Sequence, residues 1–199
     1  DPVRFPRTLA ADGSQTAVLS CHAEANRQAD ETAFCALMRI IRDYDQDDQT
    51  VIAVQVENEP GILGPTRRDF GPAGEKDFQA SVPVAVLDYA AANPVSRLAE
   101  FWQQAGSKQA GNWTEVLGIY GAEACSAWHT ARYIDSIAAA GKEVYDLFMY
   151  TNVWLDGGLH GDNWDLGGLE YPCGGAVSKS LDIWYAACKS LDTIAPDIY

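Results

Sequence analysis

The chain has 199 residues, of which 47% are hydrophobic and 11% aromatic, enough to bury a core and too rich in Trp and Tyr for a disordered protein. Its 28 acidic residues outnumber 14 basic ones, for a net charge of −14. Such a surface repels phosphate backbones and anionic lipid, and no apolar run approaches the roughly 18 residues of a membrane span, so nucleic acid and membrane are poor partners.

Arg4 to Leu9 and Thr16 to Ser20 flank the turn signal Asp12-Gly13 and predict a hairpin. A helix is predicted from about Asn26 to Tyr44, with Phe34, Leu37, Met38 and Ile41 as its apolar stripe. Val51 to Glu57 (VIAVQVE) is the clearest strand. Residues 60–83, broken by Gly and Pro, predict a long loop. Helices are expected over Val84–Ala92 and Val95–Ala105, and a longer one from Glu123 to Ala140 ends at Gly141 as a C-cap. A strand, Leu147–Val153, leads into a Gly-rich loop, Asp156–Gly175. A helix from Ser178 to Lys189 and a third strand, Ile194–Ile198, close the chain.

The five cysteines show no C-x-x-C spacing and no grouping with histidine. Cys35 and Cys188 are expected as small buried hydrophobes on helix faces; the odd count argues against a fully paired framework and leaves room for one or two disulfides. His22, His129 and His160 are widely separated and are expected to be structural. Asp45, Asp47 and Asp48 lack the remainder of a calcium loop and predict a solvated turn. No metal and no cofactor is therefore expected. The sequon Asn112-Trp113-Thr114, with the acidic composition, points to an extracellular or secreted protein.

Strands alternating with long loops and helices are the grammar of parallel βα units, and loops that follow strands lie at the carboxyl end of such a sheet. No G-x-G-x-x-G and no Walker lysine motif interrupts the pattern, which favours a (β/α) barrel over a dinucleotide-binding fold. The chemistry concentrates in Gln55-Val56-Glu57-Asn58-Glu59-Pro60-Gly61. Strand alternation sets Ile52, Val54 and Val56 on one face and Ala53, Gln55, Glu57 and Glu59 on the other. Pro60 then ends the strand and leaves Glu59 at its lip. A carboxyl there, beside a like charge, is expected to hold its proton near neutral pH, as glycosidic cleavage requires. The competing expectation is that Glu57 and Glu59 pair with arginines for stability.

This run resembles the strand-four signature of clan A glycoside hydrolases, and VIAVQVENEPGILG is similar to family 35 β-galactosidases. The runs Ala127–Ile134, Met149–Leu155, Glu170–Gly175 and Ala195–Tyr199 extend the likeness over most of the chain. The resemblance implies a partial (β/α)8 TIM barrel, approximately strands four to six, with residues 1–199 a single incomplete catalytic domain. It implies a retaining enzyme acting on terminal β-galactosides, with a carbohydrate as sole partner. Glu59 becomes the acid/base, Asn58 a hydrogen-bonding partner of the sugar 2-hydroxyl, and Glu57 a contact to hydroxyls or a positioner of Glu59. Asn152 and Trp154 become candidates for hydroxyl binding and stacking, and Tyr199 for orienting the nucleophile. The family places that nucleophile on a seventh strand, so the chain is expected to be an internal fragment, inactive alone; Glu170 and Asp197 are poor substitutes. The alternatives are a non-catalytic carbohydrate-binding remnant, or another clan A glycosidase acting on glucosides, mannosides or internal linkages. No oligomeric state follows from these residues.

Overall fold

A computed structural model describes residues 1, 3–155 and 167–198. The hairpin forms from β1 (Arg7–Leu9) and β2 (Gln15–Leu19), antiparallel around the Asp12-Gly13 turn. Helix α1 (Glu24–Asp45) follows and is joined to the hairpin by Asn26, whose Nδ2 donates to the carbonyls of Pro6 and Ser20, each at 2.9 Å. At the other end of α1 the buried Asp45 accepts from the backbone N–H groups of Thr50 (3.0 Å) and Val51 (2.8 Å). Only its neighbours Asp47 and Asp48 belong to the solvated turn expected for all three. Asp45 thus turns the chain into β3 (Ala53–Gln55).

The segment from 60 to 83 is not all loop. Helix α2 (Pro72–Gln79) lies inside it, started by Pro72, whose missing N–H costs nothing in a first turn. Helices α3 (Val84–Ala92) and α4 (Arg97–Gln104) match their patterns. Another short helix, α5 (Trp113–Leu117), carries a capping box: Asn112 accepts from Glu115 N–H while the Glu115 carboxylate accepts from Asn112 N–H. The sequon asparagine is therefore already used as a helix cap.

Helix α6 (Gly121–Val144) is the spine of the fold. Ala124, Ala127, Ala131, Ile134, Ala138 and Gly141 recur at three- and four-residue spacing, all buried, so that α1, α5 and α7 (Leu181–Ala187) can approach closely. Gly141 is not the C-cap that its position suggests. A Cβ there would lie 2.3 Å from the Phe34 ring of α1, so glycine is needed where the helices cross, and α6 runs on to Val144. On α1 itself Met38 is fully buried, but Leu37 is 46% exposed, so the expected stripe is only partly covered.

Strands β3, β4 (Phe148–Val153) and β5 (Thr193–Pro196) form a parallel sheet in that order. Gln55 pairs with Tyr150, and Val153 with Pro196. The chain is therefore mixed α/β, with a three-stranded parallel sheet packed on helices and a separate hairpin. Strand β3 is shorter than Val51–Glu57 because Ile52 is 81% exposed, outside the paired segment, and because the backbone turns sharply after Val56. All five cysteines are free thiols; Cys125 and Cys173 are buried, whereas Cys35 and Cys188 are only partly so. Among the described residues no helix is long and apolar enough to cross a membrane.

The loops that follow β3 and β4 are stitched together over the start of α6. Ile62 and Cys173 exchange backbone hydrogen bonds of 2.8 and 3.0 Å, and the Ser126 hydroxyl donates to the Arg67 carbonyl at 2.7 Å. Beneath them lies Glu123, 1% exposed, which accepts from Tyr171 Oη at 3.0 Å. Burial pushes its carboxyl up to about 7, against the opposing pull of Tyr171, Lys179 and Arg67. Between its ordinary 4.5 and about 7, the folded state holds a proton that the unfolded chain has released. This contribution to stability is complete below pH 4.5 and is lost as the pH rises through 7. The thermal midpoint is therefore expected to fall between pH 5 and about pH 8, with the fall reduced in Glu123→Gln; scanning calorimetry across that range checks it.

Candidate active site

The last backbone bond of the β3–β4 ladder runs from Val56 N–H to the Tyr150 carbonyl, at 2.7 Å. Beyond it, strand alternation stops. Glu57 has φ +61° and Glu59 φ +45°, left-handed conformations that cost an ordinary residue about 1–3 kcal/mol each. The inward row expected for Gln55, Glu57 and Glu59 is thus replaced by a tight turn in which Glu57, Asn58 and Glu59 all line one cleft. Two side-chain amides hold the turn. Gln55 Nε2 donates to the Glu57 carbonyl at 2.9 Å, and the Glu59 N–H donates to Asn152 Oδ1 at 2.6 Å.

Asn152 sits near the carboxyl end of β4, the central strand, and is 5% exposed. Its Nδ2 donates to Asn58 Oδ1 at 3.0 Å and to Asp197 Oδ2 at 2.7 Å. With its carbonyl oxygen and both amide hydrogens engaged, Asn152 holds the turn in place; a sugar hydroxyl would have to displace one of these partners. Asn58, which lines the cleft, spends its Oδ1 on Asn152 and, at 3.3 Å, on Gln55, so that its Nδ2 is not used in holding the turn. Behind the turn, Gly61 has φ +145°, and a Cβ there would meet Pro172 Cβ at 2.7 Å; this glycine lets the two loops cross.

The cleft measures about 340 Å³ and is walled by the hairpin, α1, α6 and residues 57–63. Asp30 accepts a hydrogen bond from the Tyr133 hydroxyl, and both side chains line the cleft beside Glu57. Glu57 is exposed as a residue, but the protein around its carboxyl removes enough water to raise its pKa, and the Asp30 charge raises it further. Among the described residues no ion pair joins it to an arginine. Burial and the Asp30 charge raise the Tyr133 phenol as well, so it stays a hydroxyl donor. Chemically, the cleft offers two carboxyl groups on a rigid turn, one amide donor and a phenol, a set suited to hydroxyl recognition and proton transfer.

The structure brings Glu57, Asn58 and Glu59 together and places Asn152 directly behind them. Trp154 lines a different cavity, with Leu181, Tyr185 and Ile194. Tyr199 and His160 lie outside the described residues. Asp197 is held by Asn152, and Glu170 is exposed on a turn between Gly167 and Tyr171. Asp30 is a cleft residue that the sequence did not single out, because helical spacing alone does not say which turn faces a cleft; Thr130 and Tyr133 both lie in the run Ala127–Ile134, whose likeness to the family was their one signal.

The histidines also differ from the expectation of isolated structural residues. The His22 and His129 rings meet at a tilt of 39° with centroids 4.5 Å apart, and both turn Nδ1 toward Asp77 Oδ2, at 2.8 and 3.7 Å. Burial lowers the basicity of each. For His22 the Cys21 and Asp77 side chains outweigh burial and raise it to about 9, whereas His129, buried beside that charge, falls to about 4.

No family model matches the chain, and no curated protein matches it either.

Removing the Asn152 amide takes away the acceptor of the partly buried Glu59 N–H and two donors at the strand ends. Asn152→Ala is therefore expected to lose about 1–3 kcal/mol in urea denaturation. Asn152→Asp is expected to lose more, since a carboxylate cannot donate to Asp197 and repels it.

Proposed function

We propose that this chain is the acid/base-bearing part of a retaining glycoside hydrolase acting on terminal β-galactosides. The observation that carries the reading is Glu59, held at the carboxyl end of a parallel strand on a strained turn that Asn152 fastens from the neighbouring strand. Backbone strain retained on a polar turn inside a cleft supports a functional role for this position.

In this reading β3, β4 and β5 are strands four to six of a (β/α)8 barrel. Their sequential parallel order supports it, as do the single-sided pairing of β3 and β5 and the exposure of Ile52, Leu37 and Ile40, apolar side chains that further barrel elements would cover. Glu59 protonates the glycosidic oxygen as the bond breaks and then takes a proton from the water that releases the sugar. The nucleophile, a second carboxylate about 5 Å away, comes from outside residues 1–199. Asn58 Nδ2 donates to the 2-hydroxyl, a contact that strengthens as the ring approaches an oxocarbenium ion. Glu57, whose pKa is raised by burial and the Asp30 charge, contacts hydroxyls or positions Glu59.

Full-length protein assayed on a nitrophenyl glycoside panel tests this. Glu59→Gln is expected to lose natural β-galactoside cleavage by roughly 10²–10⁴-fold while keeping much of its rate on a dinitrophenyl galactoside, whose leaving group needs little protonation. Glu57→Gln is expected to keep the wild-type dependence on leaving group. A folded protein that cleaves no glycoside would leave a carbohydrate-binding module in place of an enzyme. Preferred cleavage of glucosides or mannosides would keep the mechanism and change the sugar.

A further inference from the structure

We propose that His22, Asp77 and His129 form a binding site for a divalent transition-metal ion of the zinc type, standing directly behind the wall of the cleft. The three residues come from three elements: His22 from the link between the hairpin and α1, Asp77 from α2, and His129 from α6. One donor atom from each lies within 4.8 Å of the other two. A tetrahedral ion with bonds of about 2.0–2.1 Å holds its ligand atoms about 3.3 Å apart, and the two observed separations from Asp77 Oδ2, 2.8 and 3.7 Å, bracket that value. Two imidazoles and one carboxylate are the donor types that zinc accepts, whereas calcium and magnesium select oxygen alone.

The surroundings favour a defined site over a chance meeting of side chains. The His22 side chain is 2% exposed, which fixes its ring, while His129 at 24% and Asp77 at 31% leave an entry path from solvent. Asp77 is held in place because its helix is anchored at both ends of the segment. Asp69, 3% exposed, accepts from the Leu9 and Gly71 N–H groups and so ties the hairpin to the start of α2. Trp113 Nε1 donates to the Asp77 carbonyl at 3.2 Å. The sequence neighbours of the two histidines, Cys21 and Thr130, meet at 3.7 Å and both line the cleft. An ion at this point would staple the hairpin and α2 to α6, and so fix the wall opposite Glu59. Three protein donors leave one position for water. The inference is independent of the glycosidase reading.

The test is equilibrium dialysis of metal-stripped protein against zinc chloride, followed by metal analysis and thermal unfolding. Wild-type protein is expected to retain zinc with a rise in its thermal midpoint; His129→Phe and Asp77→Asn are expected to lose that zinc and show no rise. A second measurement needs no variant: zinc should protect His129 from diethylpyrocarbonate, read by peptide mass spectrometry. Wild-type protein that retains no zinc, variants that retain as much as wild type, or an unprotected His129 would each overturn the site.

Discussion

The side-chain amide of Asn152 is the interaction on which the cleft depends. One buried group on the central strand accepts from the backbone of the loop after β3 and donates to the side chains of Asn58 and Asp197, so that three strand ends are fixed by one residue. An asparagine suits the task because it offers an acceptor and two donors in one plane. Without it, the turn would lose the hydrogen bond that fastens the Glu59 backbone to the neighbouring strand. The turn would relax toward an extended strand, and Glu59 would move away from Glu57 and Asn58.

That clamp works because the rest of the fold holds the strands still. The small-residue face of α6 lets α1 and α7 pack closely, and Gly141 under Phe34 marks where the helices come nearest. Above α6, Glu123 and Ser126 bind the loops that follow β3 and β4. The cost is a buried carboxyl, and burial raises its pKa to about 7. The wall facing Glu59 rests on another polar cluster, where His22 and His129 meet at Asp77.

The order of elements and most of their bounds were legible in the sequence, because periodicity reports which face is buried. Helix α3 begins and ends where its pattern does, and the hairpin follows from Asp12-Gly13. Helices α2 and α5 were not legible: each is a turn or two long, and Gly and Pro at their borders look like loop. Gly141 misled because a helix-ending glycine and a helix-crossing glycine are alike until the Phe34 ring is in view. The motif Glu57-Asn58-Glu59 was legible as a site, but its geometry was not, since alternation assumes an extended backbone and the clamp on Glu59 comes from a residue 93 positions away. The His22, Asp77 and His129 cluster was invisible for the same reason, its members being separated by more than fifty residues each.

The central claim is that the clamped turn is a sugar site. Calorimetric titration of the full-length protein with a galactose-configured imino sugar, a cationic mimic of the oxocarbenium ion, tests it most directly. Saturable binding is expected, weakened about tenfold or more in both Asn58→Ala and Asn152→Ala, through loss of a contact in one and of the turn in the other. Binding that both variants leave unchanged, or no binding by folded wild-type protein, would contradict it.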